Sequence, residues 1–477
     1  MKDIFLVHDY ITPYGELENG LNFDYFYSYI EKDFNKYHDI IADLQKKYYD
    51  GVSVWIGQGT ISYAVKEELS TYDVFANNHK TDGVYLYPIS PFGGASCAFG
   101  INHSLHQNRS FFFFIPEKTK YLIRTLENFY LFINYSNEGT LDTNFFEVIY
   151  KDAEEFNIPF EKIIFCISDY DIKMSFDAWY QGYKNRPDVS SNISKIKILY
   201  HTWSLRDKAK EFKKILNNEA TVFNHNKNKC TVVTKEEVTD KIVRQKRFLM
   251  LNRRLRPHRL YSILLCSHLN LLNEFYISYD LNNMEVFELE KSMYTTDHLK
   301  NEFPFELVEE EYKKLKMTAP VSTLDFKNLQ DVWGFNFEDK RIYQQSYIHI
   351  TSETNFFENG GYFSEKTWKP IGHLQPFIFL GPANGLKEIK KLGFKTFSPF
   401  IDESYDEERN NAKRFKMIIN EIERLAKLPL EEIHNWYHSI FEDILIYNQE
   451  LFIQYENDDL MKNFFTKNLF EVLDVNT

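Results

Sequence analysis

The stretch "RFLMLNRRLRPHRLYSILLCSHLNLLNEFYISYD", residues 247–280, holds one strand–helix–strand unit. Its ends, "RFLMLN" (247–252) and "FYISYD" (275–280), are short apolar runs without strict alternation, which fits strands covered on both faces of a parallel sheet. Between them Pro257 suits the first turn of a helix, and "HRLYSILLCSHLNLLN" carries the helical pattern.

The same alternation runs outward in both directions. Upstream stand "IFLVHD" (4–9), "VSVWIG" (52–57), "GVYLYP" (83–88), "FFFFIP" (111–116), "YLFINY" (130–135), "IIFCIS" (163–168) and "IKILYH" (196–201). Downstream stand "YIHITSE" (347–353), "PFIFLG" (376–381) and "FKTFS" (394–398). Helical patterns such as "TNFFEVIYKDAEEFN" and "SLRDKAKEFKKILNN" lie between strands, so the chain reads as doubly wound α/β. A polar interval at 224–246 sets a boundary: residues 1–243 form one Rossmann-like domain and 244–477 a second, the two facing a cleft. From Glu407 onward the chain reads as almost continuous helix.

Composition narrows the function. With 477 residues, 43% hydrophobic, the chain can build more than one full core. A formal charge of −13 argues against a broad basic surface that coats nucleic acid, while leaving room for a local basic cleft. Four cysteines without CxxC spacing read as reduced, mostly buried thiols. "MKDIFLVHDY" reads as a first strand and not a signal peptide, and no apolar run reaches the ~18 residues of a membrane helix. The expectation is a soluble cytoplasmic protein of bacterial or virus-infected cells; no feature sets its oligomeric state.

Seven Arg or Lys fall between Arg244 and Arg259. A helix N-terminus offers free N–H groups and partial positive charge, and arginine's planar fork suits phosphate oxygens, so Arg253, Arg256 and Arg259 there make a diphosphate seat. The bland alternative is a solvated charged face. His258 reads as a helix-start packing residue. A second charged phrase, "SEKTWKP" (364–370), opens a short helix ahead of "PFIFLG". There Glu365 can accept both hydroxyls of a ribose and Lys366 can reach a phosphate, with Trp368 read as core.

The two phrases together resemble the fucosyltransferase family, in its α1,3/α1,4 branch. That family has a strand ending in asparagine with an arginine seven residues later, as Asn252 and Arg259 stand here. Its later phrase resembles "SETNFFENGGYFSEKTWKPIGHLQPFIFLGP", from Ser364-Glu365-Lys366 and Trp368-Lys369 to Gly381-Pro382. The resemblance covers roughly the second half of the chain. It implies two Rossmann-like domains of the GT-B type and inverting transfer from a nucleotide sugar, without a metal. Arg259 and Lys366 would grip the diphosphate and Glu365 the ribose. Glu353 or Asn355 would approach the donor sugar, with Tyr362 nearby, and Asn252, Ser364 and Lys369 belong to the same donor set. The long "SETNFFENGG" loop and "FKTFSPFIDESYDEE" depart from the family pattern. The chain also resembles a broader group of phage and bacterial proteins bearing "LNRRLRPHR"-like and "SEKTWKPI…GFKTF…DESYD"-like phrases.

An acceptor hydroxyl must lose a proton during such a transfer, and Glu138, in "INYSNEGT" directly after a strand, is the candidate base. The bland alternative is a loop glutamate that starts the next helix. The small-residue loop "FGGASCAFGINHS" (92–104) lacks GxGxxG, so it does not indicate a dinucleotide site. Asp169 and Asp171 form a DxD that reads as an exposed loop or, with a divalent metal, as a holder of the donor diphosphate. The acceptor is a glycan or lipid-linked sugar, with a hydroxymethylated DNA base as the alternative. A non-catalytic nucleotide- or glycan-binding protein of the same fold is the competing class.

Overall fold

The computed structural model describes residues 4–8, 55–56, 70–73, 83–90, 112, 115, 117–136, 144–190, 192–217, 219, 231–252, 256–278, 305–317, 340–356 and 360–474. Its contacts divide the chain into two compact units, 1–203 with 461–477, and 204–460. The polar interval had set the division at 243/244. By contacts, residues 204–243 go with the second unit and the last helix goes with the first.

The first unit is built on β1 (Ile4–His8), β2 (Trp55–Ile56), β3 (Ser70–Asp73), β4 (Val84–Ser90), β5 (Phe129–Tyr135), β6 (Ile163–Ile167) and β7 (Lys197–Tyr200). Among the described residues they form one sheet in the order β3-β1-β4-β5-β6-β7, all parallel, with β2 antiparallel to β4. Successive side chains on a strand point to opposite faces, and the cores follow that period. Tyr85, Tyr87, Leu131, Ile133, Ile163 and Phe165 belong to one core, with residues of the helices Glu117–Thr125, Asn144–Glu155 and Ile172–Lys184. Val84, Leu86, Phe132, Ile164 and Cys166 belong to the other, closed by Phe465, Leu469 and Phe470 of the helix Asp458–Val472. The final helix therefore covers a face of the first sheet.

The second unit carries β8 (Lys246–Leu251), β9 (Phe275–Ser278), β10 (Ser346–Ser352) and β11 (Phe377–Leu380), parallel and in the order β11-β10-β8-β9. From β8 the chain crosses to β9 on one side, and from β10 it crosses to β11 on the other. Right-handed crossovers then place the two connecting helices on opposite faces. Their packing agrees. Helix Pro257–His268 lies against Phe305–Met317 and Asn411–Lys427, whereas Glu365–Gly372 lies against Tyr447–Gln454. The strand order reverses between β8 and β10.

One expected strand differs, and another lies mostly outside the described residues. Of "FFFFIP" only Phe112 and Ile115 are described; they are buried and joined by a turn bond from the Ile115 N–H to the Phe112 carbonyl. "FKTFS" buries Phe394 and Phe397 without entering the sheet, because side chains take its backbone groups: Asn448 Oδ1 accepts from the Lys395 N–H at 2.8 Å and Glu403 Oε1 from the Phe397 N–H at 2.6 Å. The C-terminal stretch is helical as expected. No helix among the described residues is long and apolar enough to cross a membrane.

Candidate functional site at the β8/β10 switch point

In an open parallel sheet, ligands bind outside the carboxyl ends of the strands where the strand order reverses. Here that place is the pair of loops after β8 and β10, which carry both charged phrases. The register Ile348↔Phe248 and His349↔Leu249, continued along the strands, sets Asn252 beside Ser352. Asn252 is buried, and its N–H reaches the Ser278 carbonyl at 3.1 Å. Its side-chain amide finds no partner among the described residues. Arg253 lies outside the described residues.

Pro257 opens its helix with Arg256 in extended conformation at the cap. One turn in, Arg259 is only 3% exposed, and its Nη2 donates to the carbonyls of Ser352 at 3.0 Å and Glu353 at 2.8 Å. Burial and the neighbouring Arg256 charge pull its pKa down to about 10, against the opposing pull of Glu353 and Glu365. His258 is buried as a packing residue should be. It stacks on Phe356, and its Nε2–H donates to the Glu353 carbonyl at 2.8 Å. Burial drives its pKa well below the usual imidazole value, and the charges of Arg259, Arg256 and Lys366 push the same way. One histidine thus feels cations from both separated stretches.

Glu353 has no exposed surface. Its carboxylate accepts from the N–H groups of Thr354 and Ser364, each at 3.1 Å, and from the Thr367 hydroxyl. Asn355 is buried in the same loop, and Tyr362 is half-buried. Ser364 caps the helix Glu365–Gly372, its hydroxyl accepting from the Lys366 N–H at 3.3 Å. The Lys366 ammonium stays partly exposed, 2.7 Å from Glu365 Oε1 and 3.2 Å from Ser364 Oγ. Burial raises the Glu365 pKa, but Lys366 and Lys369 outweigh it and hold the carboxyl below its ordinary value. Lys369 itself is buried, and its charge lowers the pKa values of His349 and His373. Trp368 is fully buried, its Nε1–H donating to Ser204 Oγ at 3.0 Å.

The structure therefore brings together Asn252, Arg256, Arg259, Glu353, Ser364, Glu365 and Lys366 at one strand edge. Arg259 and Glu353 are enclosed, whereas Arg256, Tyr362 and Lys366 keep exposed surface. Arg414 was missed by sequence reading. Fully buried, it donates to the Phe356, Gly381 and Glu408 carbonyls at 2.8, 3.2 and 2.9 Å, tying the loops after β10 and β11 together. Its position beside Phe415 and one turn before Ile418, on the apolar stripe of Asn411–Lys427, was the available signal.

Glu138 lies outside the described residues, as do Cys97 and Cys230; Cys166 and Cys266 are free and buried. The DxD is a helix start and not an exposed loop. Asp169 is 1% exposed and accepts from the Asp171 N–H at 2.8 Å, and Asp171 stands at the cap of Ile172–Lys184. Among the described residues no three His, Cys, Asp or Glu gather as a metal site.

No protein-family model matches the chain, and no curated protein does. Among solved structures it is similar to an alpha,alpha-trehalose-phosphate synthase (UDP-forming) from Burkholderia vietnamiensis, at 10% identity and a TM-score of 0.36, over 83% of this chain and 74% of that one. It is also similar to the Glycosylation Associate Protein (Gap123) complex from Streptococcus agalactiae, at 10% identity and a TM-score of 0.28, over 82% of this chain and about half, 54%, of that one.

Proposed function

We propose that the chain is a glycosyltransferase of the two-Rossmann type, moving a sugar from a nucleotide-sugar donor to an acceptor hydroxyl with inversion and without a metal. One observation carries this reading. Arg259 and the helix start that carries Lys366, about a hundred residues apart in sequence, are both bonded to Glu353 at the β8/β10 switch point. A diphosphate leaving group gains charge as the glycosidic bond breaks, and prearranged cations stabilise it more in the transition state than in the ground state. Lys366 and Arg256, which retain exposed surface, are the groups suited to touch phosphate oxygens. Arg259 lies behind them and raises the local potential. Glu365, held ionised by its lysines, accepts the ribose hydroxyls once Lys366 turns from it to the diphosphate.

Deprotonation of the acceptor is assigned to Glu138, three residues beyond β5 in the sequence. The acceptor is assigned to a glycan or lipid-linked sugar, in line with the family resembled by the two phrases. A thermal-shift panel of nucleoside diphosphates and nucleotide sugars tests the donor half, since a ligand bound by the native state raises the melting temperature. Transfer assays on glycan, lipid-linked sugar and hydroxymethylated DNA acceptors follow, with and without EDTA. A donor-dependent product that persists in EDTA is expected. Binding without turnover on any acceptor would make this a binding protein, and a strict need for manganese would return attention to Asp169.

A further inference from the structure

We propose that Glu353 is a positioning residue, a buried clasp that sets where Lys366 and Arg259 stand relative to each other, and not a group that touches the donor sugar. The proposal rests on the diphosphate reading of the site. Glu353 is the first residue beyond β10, and each of its polar groups is committed. Its N–H continues the ladder to the Leu380 carbonyl of β11 at 3.0 Å. Its carbonyl accepts from Arg259 and from His258, both at 2.8 Å and both on the helix that follows β8. Its carboxylate accepts from the Ser364 N–H and the Thr367 hydroxyl, fixing the first turn of the helix that carries Lys366. The Thr354 N–H supplies a third bond.

Each link has a physical reason. A carboxylate removed from water is stable only when hydrogen-bonded and offset by opposite charge. Three donors supply the bonds, and the Arg259 guanidinium, held against the same residue's carbonyl, supplies the charge. A carboxylate at the first turn of a helix also meets its unpaired N–H groups and positive end. Residues 353 and 364 thereby meet at one side chain. Lys366 is two residues beyond Ser364, and Arg259 is bonded directly to Glu353. Moving the clasp moves both cations, Lys366 at the ligand and Arg259 behind it, and loss of ångström-scale placement is costly for a charged ligand.

Glutamine at this position keeps the shape but offers one acceptor oxygen, and its NH₂ faces donors. The test uses the full chain and inorganic pyrophosphate, a probe that needs no knowledge of the base or sugar, titrated by calorimetry. Wild type is expected to bind one pyrophosphate. Glu353→Gln is expected to keep that stoichiometry while Kd rises tenfold or more. A merely structural role lowers the competent fraction and leaves Kd unchanged, and that result overturns the proposal. Thr367→Val removes one of the two bonds to the helix start, the hydroxyl's, and decides the matter should Glu353→Gln fail to fold; it should raise Kd several-fold, and Thr367→Ser should restore it. A Kd unchanged in Thr367→Val also overturns the clasp. Failure of wild type to bind pyrophosphate or any nucleoside diphosphate overturns the diphosphate reading itself, independently of the variants.

Discussion

At the scale of single residues, burial separates two cations that look alike in sequence. Lys366 is partly exposed and, among the described residues, bonded only to its neighbours Glu365 and Ser364; Lys366→Ala takes one partner from the buried Glu365 and should cost about 1–2 kcal/mol. Pyrophosphate affinity should nevertheless fall at least tenfold, and calorimetry on the two proteins reads both effects. Arg259→Ala, in contrast, withdraws two charge-assisted bonds from the buried Ser352 and Glu353 carbonyls and should cost about 3–5 kcal/mol of stability before any effect on binding. A urea melt of Arg259→Ala that matches wild type would remove the guanidinium from its structural part.

Histidines set the pH response at the same scale. His258, His349 and His373 are buried with pKa values below the ordinary one, chiefly through burial, with His349 at about 3. Below about pH 6.5 the unfolded chain binds protons that these native rings refuse, so each ring removes up to ~1.4 kcal/mol per pH unit as pH falls. Asp406, raised to about 6 by burial, works in the opposite direction between its unfolded and folded values. Asp207 is raised in the same way and His438 is lowered like the other rings, so two carboxyls against four imidazoles do not reverse the sign. The urea midpoint should therefore drop clearly from pH 7 to pH 5, and equal midpoints would refute the buried-neutral assignment.

At the scale of elements, the turn after β11 shows how closely the backbone is packed. A Cβ added to Gly385 would sit 2.1 Å from the Phe379 ring, and one on Gly381 2.5 Å from it. Gly385→Ala should force that buried ring aside and destabilise by about 1–3 kcal/mol. Gly182, exposed in the helix Ile172–Lys184 with open space where a Cβ would go, should instead gain about 0.5–1 kcal/mol on replacement by alanine. Denaturant midpoints of the two variants moving in opposite directions is the expected result. The helix Glu365–Gly372 is short and contains Pro370, so its own propensity is weak. It is held by Trp368 in the core and by the Ser364 cap and Glu353 at its start.

At the scale of the whole molecule, the last helix belongs to the first sheet. Leu469 is fully buried in the core formed with Val84, Leu86, Phe132 and Ile164. Leu469→Asp places an unpaired carboxylate there and should destabilise the first unit by more than ~4 kcal/mol, read as early loss of its protection in hydrogen exchange. The second unit, with its own sheet and cores, should keep its protection longer. Simultaneous loss in both units would argue that they fold as one cooperative block.

Periodicity, apolar runs and breakers made most strands legible, and Pro257 and Ser364 marked the helix starts. These are local properties, set by dihedral preference and by which side chains recur at one face, so the chain alone determined an α/β protein with charge clustered after two strands. Three things rested on tertiary structure: that "FKTFS" gives its backbone to Asn448 and Glu403, that Arg259 and Glu353 turn inward while Lys366 stays at the surface, and that the final helix returns to the first sheet. Each depends on burial among residues distant in sequence, because the free energy of a charge or an apolar face is fixed by what surrounds it and not by its neighbours along the chain.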